Sequence, residues 1–326
     1  VVSGGDPITL QNYKQLELAL EMGLNYLDMA PQYNSGDTER AYGKLLANSA
    51  KRDKVFLTTK ISRFGEVRNR LYRELFDSLP GGKQEAIAAR ARELRSQRGV
   101  DKPGYFIEYF PNQIRQFEPA YLSNAMAEEY SHRVEGSKAF REFIVQSIEG
   151  SLERVGTDHF DIVMCPHGGC TPEELQVPEI RETFERLKQQ GKVRFLGVSS
   201  HNDPAGILRT AVGLGHYDVV MMAYNVINGG YLEHELREAK AKGVGVIAMK
   251  VAHAVATHHK PLQPIPQWRI DKVNRIVPGE MKAPMKAYLW ALQNPNISAV
   301  ISNLWDETFV RENLSLAGKK VELQPA

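Results

Sequence analysis

The chain has 326 residues, of which 42% are hydrophobic, and its 41 Lys and Arg residues against 39 Asp and Glu residues give a formal net charge of +2. The length corresponds to one large domain or two ordinary ones, and the composition is that of a globular protein, not of a disordered or collagen-like chain. So small a net charge argues against a nucleic-acid partner, because no large positive field surrounds the chain. No apolar run approaches the ~20 residues that cross a bilayer, so no membrane partner is expected.

The sequence contains two cysteines, Cys165 and Cys170, which exclude any disulfide framework beyond one small loop. Scarce cysteine is typical of a reducing compartment, and we expect a cytoplasmic protein, with an exported enzyme as the alternative. The chain begins at Val1 without a Met. We therefore expect that upstream residues are missing, so that a targeting segment is not excluded.

Short apolar runs alternate with amphipathic helical patterns along the chain. The runs are typical of β-strands buried on both faces and lie at 1–3, 26–28, 55–59, 162–165, 195–199, 219–223, 246–249 and 299–301. The helical patterns carry capping signals. Thr9 is predicted to begin the first helix, Gly191 to end the helix around 180–187, and Asp203-Pro204 to begin another.

Repeated strand-then-helix units require a parallel sheet with right-handed crossovers. An open doubly wound sheet and a closed eightfold barrel both satisfy this requirement. A doubly wound dinucleotide-binding fold should carry G-x-G-x-x-G after its first strand, and the sequence has no such motif. We therefore predict an α/β fold of the (β/α)8 TIM-barrel class, a single domain over residues 1–326.

Two segments interrupt the alternation. Residues 63–135 follow the third strand and are far longer than an ordinary βα connection; they contain charge-rich helical parts at 66–79 and 83–98, then an aromatic part at 105–121. Residues 253–281, rich in Pro and His, follow the seventh strand. Because βα loops cover the C-terminal mouth of a barrel, we predict a mostly helical insertion over the mouth, as a substrate wall, a lid or an oligomer contact.

Four chemically active side chains stand at or just after predicted strand ends: Asp28, Tyr33, Lys60 and His167. In a barrel all four converge on one mouth. Buried Asp and Lys are costly unless they are paired. A lysine beside a tyrosine favours the phenolate, so Lys60, held by Asp28, is expected to lower the Tyr33 pKa and make it a general acid.

Several segments resemble the aldo-keto reductase family. They are 23–33 (GLNYLDMAPQY), 37–46 (DTERAYGKLL), 55–60 (VFLTTK), 147–161 (SIEGSLERVGTDHFD) and 191–199 (GKVRFLGVS). The likeness covers residues 1–60 and, more loosely, 139–317. His167 lies one residue further from Asp161 than in the family pattern, so a bulge is expected at Cys165-Pro166.

The resemblance implies an NAD(P)-dependent oxidoreductase that moves hydride between nicotinamide and a carbonyl or alcohol. Tyr33 then supplies the proton, Lys60 and Asp28 tune it, and His167 orients the carbonyl. The cofactor would be NADP, with NAD as the alternative. Its binding residues would be Ser199, Ser200, Met221, Met249, Lys250, Asn303, Arg311, Glu312 and Asn313.

This chain departs from the family pattern at several of the cofactor positions. Ser200 replaces an Asn, Met221 a Gln, and Met249 the Tyr that stacks on nicotinamide. The Lys and Arg that hold the 2′-phosphate fall near Asn303 and Phe309, with Arg311 close by.

Two other functions stay open. A non-catalytic binding or regulatory subunit would fit the altered cofactor positions, and a metal-dependent hydrolase would use His167 and His201. Cys165, His167 and Cys170 are metal-ligand types without an evident fourth partner, so no metal is expected. For the enzyme, the substrate would be a small carbonyl compound or a sugar, to which the aromatic residues of the insertion point.

Overall fold

Eight parallel strands close into a barrel in chain order, with β1 paired to β8. They are β1 (Val2–Gly4), β2 (Tyr26–Asp28), β3 (Phe56–Lys60), β4 (Phe160–His167), β5 (Val193–Ser200), β6 (Val219–Ala223), β7 (Gly245–Met249) and β8 (Ala299–Asn303). The computed structural model describes residues 1–134, 138–256 and 264–325. The predicted (β/α)8 fold is confirmed, and the strand bounds differ from the predicted ones by a few residues.

Helices lie outside the barrel and over its mouth. They are α1 (Gln15–Glu21), α2 (Asp37–Leu45), α3 (Ser49–Arg52), α4 (Phe64–Asp77), α5 (Gly81–Arg98), α6 (Phe117–Tyr130), α7 (Lys138–Val155), α8 (Pro178–Gln189), α9 (Pro204–Leu214), α10 (Glu233–Ala241), α11 (Gln267–Ile276), α12 (Ala283–Gln293) and α13 (Glu307–Leu314). Within the described ranges, no helix combines the length and the apolar character that a membrane span requires.

The buried apolar residues form two layers, because each strand has one face inside the barrel and one face toward the helices. The inner layer consists of Val2, Ile162, Met164, Met221, Ile247 and Met249. The outer, larger layer joins the strands to the helices. Burial on both faces explains why the strand sequences are continuously apolar and do not alternate.

The capping predictions had different outcomes. Asp203 does begin α9, where its side chain accepts a hydrogen bond from Gly206 N–H. The prediction for Thr9 was wrong, because α1 begins only at Gln15 and the Thr9 hydroxyl instead accepts from nearby backbone N–H groups in a turn. Gly191 lies just beyond α8, with a left-handed φ of 72° that a glycine adopts without strain.

The chain between β3 and α7 contains α4, α5 and α6. This segment corresponds to the predicted insertion 63–135, whose last residue lies outside the described residues. The bounds of α4 and α5 are close to the predicted helices, but α6 was not predicted. Its buried residues run without a break over 120–126 and include Ser123 and Asn124, so no apolar face repeats along the helix. In the second interrupting segment, residues 253–281, helix α11 was not predicted either. His258 and His259 of this segment lie outside the described residues.

Asp161, at the start of β4, joins three strands at the end of the barrel away from the mouth. Its carboxylate is 2% exposed and accepts hydrogen bonds from Leu57 N–H at 2.9 Å, Arg52 Nη1 at 3.0 Å and Arg194 Nη1 at 2.6 Å. One buried carboxylate therefore accepts hydrogen bonds from a strand N–H and from two guanidinium groups.

We expect Asp161→Ala to lower the free energy of unfolding by about 3 kcal/mol, since it leaves a backbone N–H and the partly buried Arg52 charge without their acceptor. Urea unfolding followed by circular dichroism measures the loss. The control is Glu185→Ala, which removes an exposed pair with Arg181 and should cost at most about 0.5 kcal/mol. Equal losses in the two variants would contradict this account.

Candidate active site

A buried ion pair lies at the mouth of the barrel, at the ends of β2 and β3. Lys60 Nζ lies 2.6 Å from both Asp28 carboxylate oxygens and also donates to Met29 O at 2.9 Å. The two side chains are 1% and 2% exposed. Burial raises the Asp28 pKa and lowers the Lys60 pKa, while the attraction between the two charges opposes both shifts.

Tyr33 lies directly after β2 in a short 3-10 helix, Tyr33–Gly36, with Asn34 and Ser35 at left-handed φ values of 48° and 55°. The Asn34 amide holds this turn by donating to Asp6 O and Ile8 O, both at 2.9 Å. Lys60 Nζ lies 4.7 Å from the centroid of the Tyr33 ring. The structure therefore brings the predicted lysine to the predicted tyrosine.

The expectation that Lys60 lowers the Tyr33 pKa is not met. Burial, followed by the negative charges of Asp28 and Asp6, raises the Tyr33 pKa well above 10. Desolvation of the buried phenol is the largest cause, and the Asp28 carboxylate, which is paired with Lys60 at 2.6 Å, adds its own negative charge against the phenolate. Tyr33 is thus a protonated phenol near neutral pH.

His167 ends β4 beside Tyr33. The pairing of β4 with β5 shifts register between Met164 and His167, so the predicted bulge at Cys165-Pro166 is confirmed. The rings of His167 and Tyr33 meet edge to face, with centroids 5.9 Å apart and an angle of 86°. Burial, and to a smaller extent the Lys60 charge, hold the His167 pKa well below 6.5, which leaves a neutral imidazole.

Two cavities meet at this cluster. The first has a volume of about 280 Å³ and runs from Asp28 and Tyr33 across the mouth to Glu312 and Asn313. The second, of about 460 Å³, extends from Tyr33 and His167 under the insertion. The residues that line both are Asp6, Tyr33, His201, Lys250, His253 and Asn303.

Six of the nine predicted cofactor residues line the first cavity: Met221, Met249, Lys250, Asn303, Glu312 and Asn313. Ser199 is paired in register with Met221 and is buried, and its Oγ has no hydrogen-bond partner in the part of the chain that the structure describes. Such an unpartnered polar atom fits the carboxamide of a bound nicotinamide. Asn313 donates to Ser302 Oγ at 2.6 Å, which fixes its side chain at the cavity.

The structure does not bring Ser200 and Arg311 to this cavity. The Ser200 hydroxyl donates to Gly169 O at 2.7 Å, because alternation along β5 turns it away from Ser199. Arg311 lies on the exposed face of α13, 3.6 Å from Glu307. Lys282, which the sequence did not reveal, lines the cavity instead, and its Nζ donates to Glu312 Oε1 at 2.8 Å. Lys282 lies just before α12, where the local sequence pattern does not indicate a cavity-lining residue.

The insertion forms one wall of the second cavity through Arg63, Gly65, Glu66, Asn69, Tyr109, Phe110, Gln116 and Pro119. The sequence suggested His201 only as a hydrolase residue, yet it lies here between two rings of the insertion. Its ring centroid is 6.2 Å from that of Tyr109 and 5.6 Å from that of Phe110. Burial, and then the nearby Lys250 charge, lower the His201 pKa well below 6.5.

Buried hydrogen bonds hold this wall against the barrel loops. Tyr105 OH donates to Asp203, Gln113 Nε2 donates to Asn202 Oδ1 at 2.7 Å, and Asn225 Nδ2 donates to Tyr109 OH at 2.9 Å. These partners follow β5 and β6, so the insertion is bonded to two separate loops of the mouth.

Over the described residues, no group of three His, Cys, Asp or Glu side chains is arranged to hold a metal ion. Cys165 and Cys170 are buried free thiols, and burial raises the pKa of each well above 9.

The model of the Aldo/keto reductase family matches residues 9–113 and 126–316. Among curated proteins, the chain is 28% identical over 194 residues to L-galactose dehydrogenase of Arabidopsis thaliana, covering 56% of this chain and 60% of that protein. It is 23% identical over 238 residues to D-threo-aldose 1-dehydrogenase of a Pseudomonas species, covering 72% of this chain and 58% of that protein. The chain thus spans less than two thirds of these relatives.

Solved structures show the same fold. An aldo-keto reductase of Bacillus halodurans in its holo form superposes with a TM-score of 0.61 at 18% identity, covering 98% of this chain and 86% of that one. An aldo-keto reductase of Klebsiella pneumoniae in complex with NADPH gives a TM-score of 0.59 at 17% identity, with coverages of 98% and 86%.

Because their pKa values are lowered, His167 and His201 stay neutral in the folded protein at pH values where the unfolded chain, with ordinary values of about 6.5, binds protons. Stability should therefore fall as the pH drops below about 6.5. We expect His201→Phe to lessen this fall, so that its stability relative to the parent rises from about pH 7.5 to about pH 5.5. Urea unfolding at each pH tests this. A difference that stays constant with pH would contradict the neutral state of His201.

Proposed function

The chain belongs to the aldo/keto reductase family, and we propose that it transfers hydride between a nicotinamide cofactor and the carbonyl carbon of a small substrate, with Tyr33 as the proton donor. The observation that carries this proposal is the meeting of Asp28, Lys60, Tyr33 and His167 at the point where two cavities join. One cavity suits an extended cofactor and the other a substrate.

We assign the cofactor to the first cavity. When bound, the cofactor supplies or accepts the hydride. Met221 and Met249 would pack under its ring, Ser199 Oγ would bond its carboxamide, and Glu312 with Asn313 would hold the adenine end. NADP is the proposed cofactor, because Lys282 supplies a positive charge at this end of the cavity. NAD is the alternative, because Asn303 and Phe309 stand where the family's 2′-phosphate cations usually lie.

Tyr33 would give its proton to the carbonyl oxygen as hydride arrives at the carbon. Its raised pKa keeps the phenol protonated in the free enzyme, which is the form a reduction needs. The phenolate that remains lies next to the Lys60 ammonium, which Asp28 holds in place.

The substrate class we propose is a small carbonyl compound or sugar. The second cavity combines the aromatic rings of Tyr109 and Phe110 with polar side chains such as Asn69 and Gln116, a combination that suits a hydroxylated ring. The two curated relatives reported above are named for sugar oxidation. The hydrogen bonds to the barrel loops favour a fixed wall over a mobile lid. An oligomer contact on the insertion and a cytoplasmic location stay predictions.

We expect Tyr33→Phe to lower kcat for reduction of 4-nitrobenzaldehyde by about 10²–10⁴-fold, because the phenolic hydroxyl, which carries the transferable proton, is removed. The dissociation constant for NADPH, measured from its fluorescence, should stay within about twofold, since the ring remains. Tyr13→Phe, at a residue that lines neither cavity, is the control.

Cofactor binding and turnover of the parent protein distinguish an enzyme from a non-catalytic binding subunit. Binding of neither NADPH nor NADH at millimolar concentration would contradict the proposal. Cofactor binding without turnover across aldehydes, ketones and sugars would favour the non-catalytic binding subunit.

Lys282 should set the preference between cofactors. We expect Lys282→Ala to weaken NADPH binding about tenfold, the value of about one charge-assisted hydrogen bond, and to leave NADH binding unchanged. Fluorescence titration with both cofactors measures this. Arg311→Ala is the matched control and should affect neither. Equal weakening of both cofactors by Lys282→Ala, or a loss of NADPH affinity in Arg311→Ala, would refute the assignment.

A further inference from the structure

Ser62 is a buried hydroxyl beside the reaction centre, and the proposed function leaves it without a role. It follows Lys60 by two residues, is 6% exposed, and its Oγ lies 2.8 Å from His167 Nδ1. Ser62 lies in the turn between the end of β3 and the start of α4, and its hydroxyl contacts the histidine that ends β4.

The backbone of Ile61 keeps this contact in place. Its N–H donates to Met164 O at 2.8 Å, and its carbonyl accepts from His167 N–H at 3.3 Å. These two bonds reach β4 on either side of the bulge. Backbone pairing therefore holds the main chain of His167 next to the segment that carries Ser62.

A neutral imidazole has one N–H and one lone pair, and its partners decide which nitrogen carries the proton. The low His167 pKa makes the ring neutral near pH 7. Among the described residues, His167 Nδ1 is the only group hydrogen-bonded to the Ser62 hydroxyl, and Nε2 is bonded to none. A hydroxyl that donates to Nδ1 leaves the proton on Nε2.

We propose that Ser62 is a positioning residue that donates to His167 Nδ1 and thereby holds the ring in the Nε2–H tautomer. This role rests on the proposed function, in which the carbonyl oxygen gains negative charge as hydride arrives. Nε2–H can donate to that oxygen beside Tyr33, whereas the other tautomer would present a lone pair and repel it. Ser62 itself acts only through His167.

Nitrogen NMR of protein labelled with ¹⁵N-histidine tests the tautomer directly, without any turnover. The His167 signals are identified by their loss in His167→Gln. We expect the parent protein to have a protonated Nε2 and an unprotonated Nδ1. Ser62→Ala should give a mixture of tautomers, and Ser62→Thr, which keeps the hydroxyl, should restore the parent pattern.

Kinetics supply the second readout. Ser62→Ala should lower kcat for 4-nitrobenzaldehyde about tenfold, the effect of about one hydrogen bond, and leave the dissociation constant for NADPH unchanged. Ser62→Thr should recover kcat. A merely structural role would instead lower NADPH affinity and stability together, without a change of tautomer.

A parent protein with the proton on Nδ1 would overturn the proposal, and so would a Ser62→Ala variant with unchanged tautomer and kcat. If the parent bound no NADPH and reduced no carbonyl, the proposed function would fail. The NMR pattern of the parent and of Ser62→Thr would still decide the role of Ser62.

Discussion

The ion pair between Lys60 and Asp28 is the constraint on which the candidate site depends. Two opposite charges that are almost fully buried are stable only while they are paired, since a lone buried charge costs several kcal/mol. The pair forms because β2 and β3 are neighbours in register, with Asp28 opposite Thr58 and Lys60 two residues further on. The pairing of β2 with β3 in this register is therefore required for the two buried charges to meet at the mouth.

The neighbourhood of this pair explains the protonation of the site. Burial and, after it, the negative charge of Asp28 raise the Tyr33 pKa and keep its phenol protonated in the free protein. The same burial keeps His167 neutral. The Tyr33 phenol and the His167 imidazole are thus two neutral hydrogen-bonding groups beside the ion pair. This arrangement suits a carbonyl oxygen that acquires negative charge in the proposed reduction.

The insertion adds a wall to a barrel that would otherwise be open on one side. Its contacts to the loops after β5 and β6 are buried hydrogen bonds, and breaking them would leave polar groups without partners at a substantial cost. This wall brings Tyr109 and Phe110 to His201. The second cavity is consequently built jointly by the barrel and the insertion.

The sequence by itself determined the barrel, because buried parallel strands and their helices have distinct periods, and it determined the cluster of Asp28, Tyr33, Lys60 and His167, because all βα ends of a barrel meet at one mouth. Tertiary structure alone decided that Ser200 and Arg311 turn away while Lys282 and Ser62 turn toward the site. It also decided that burial and the Asp28 charge raise the Tyr33 pKa. The physical reason is that side-chain direction and local charge depend on strand register, helix face and contacts between residues far apart in the chain, which no local pattern encodes.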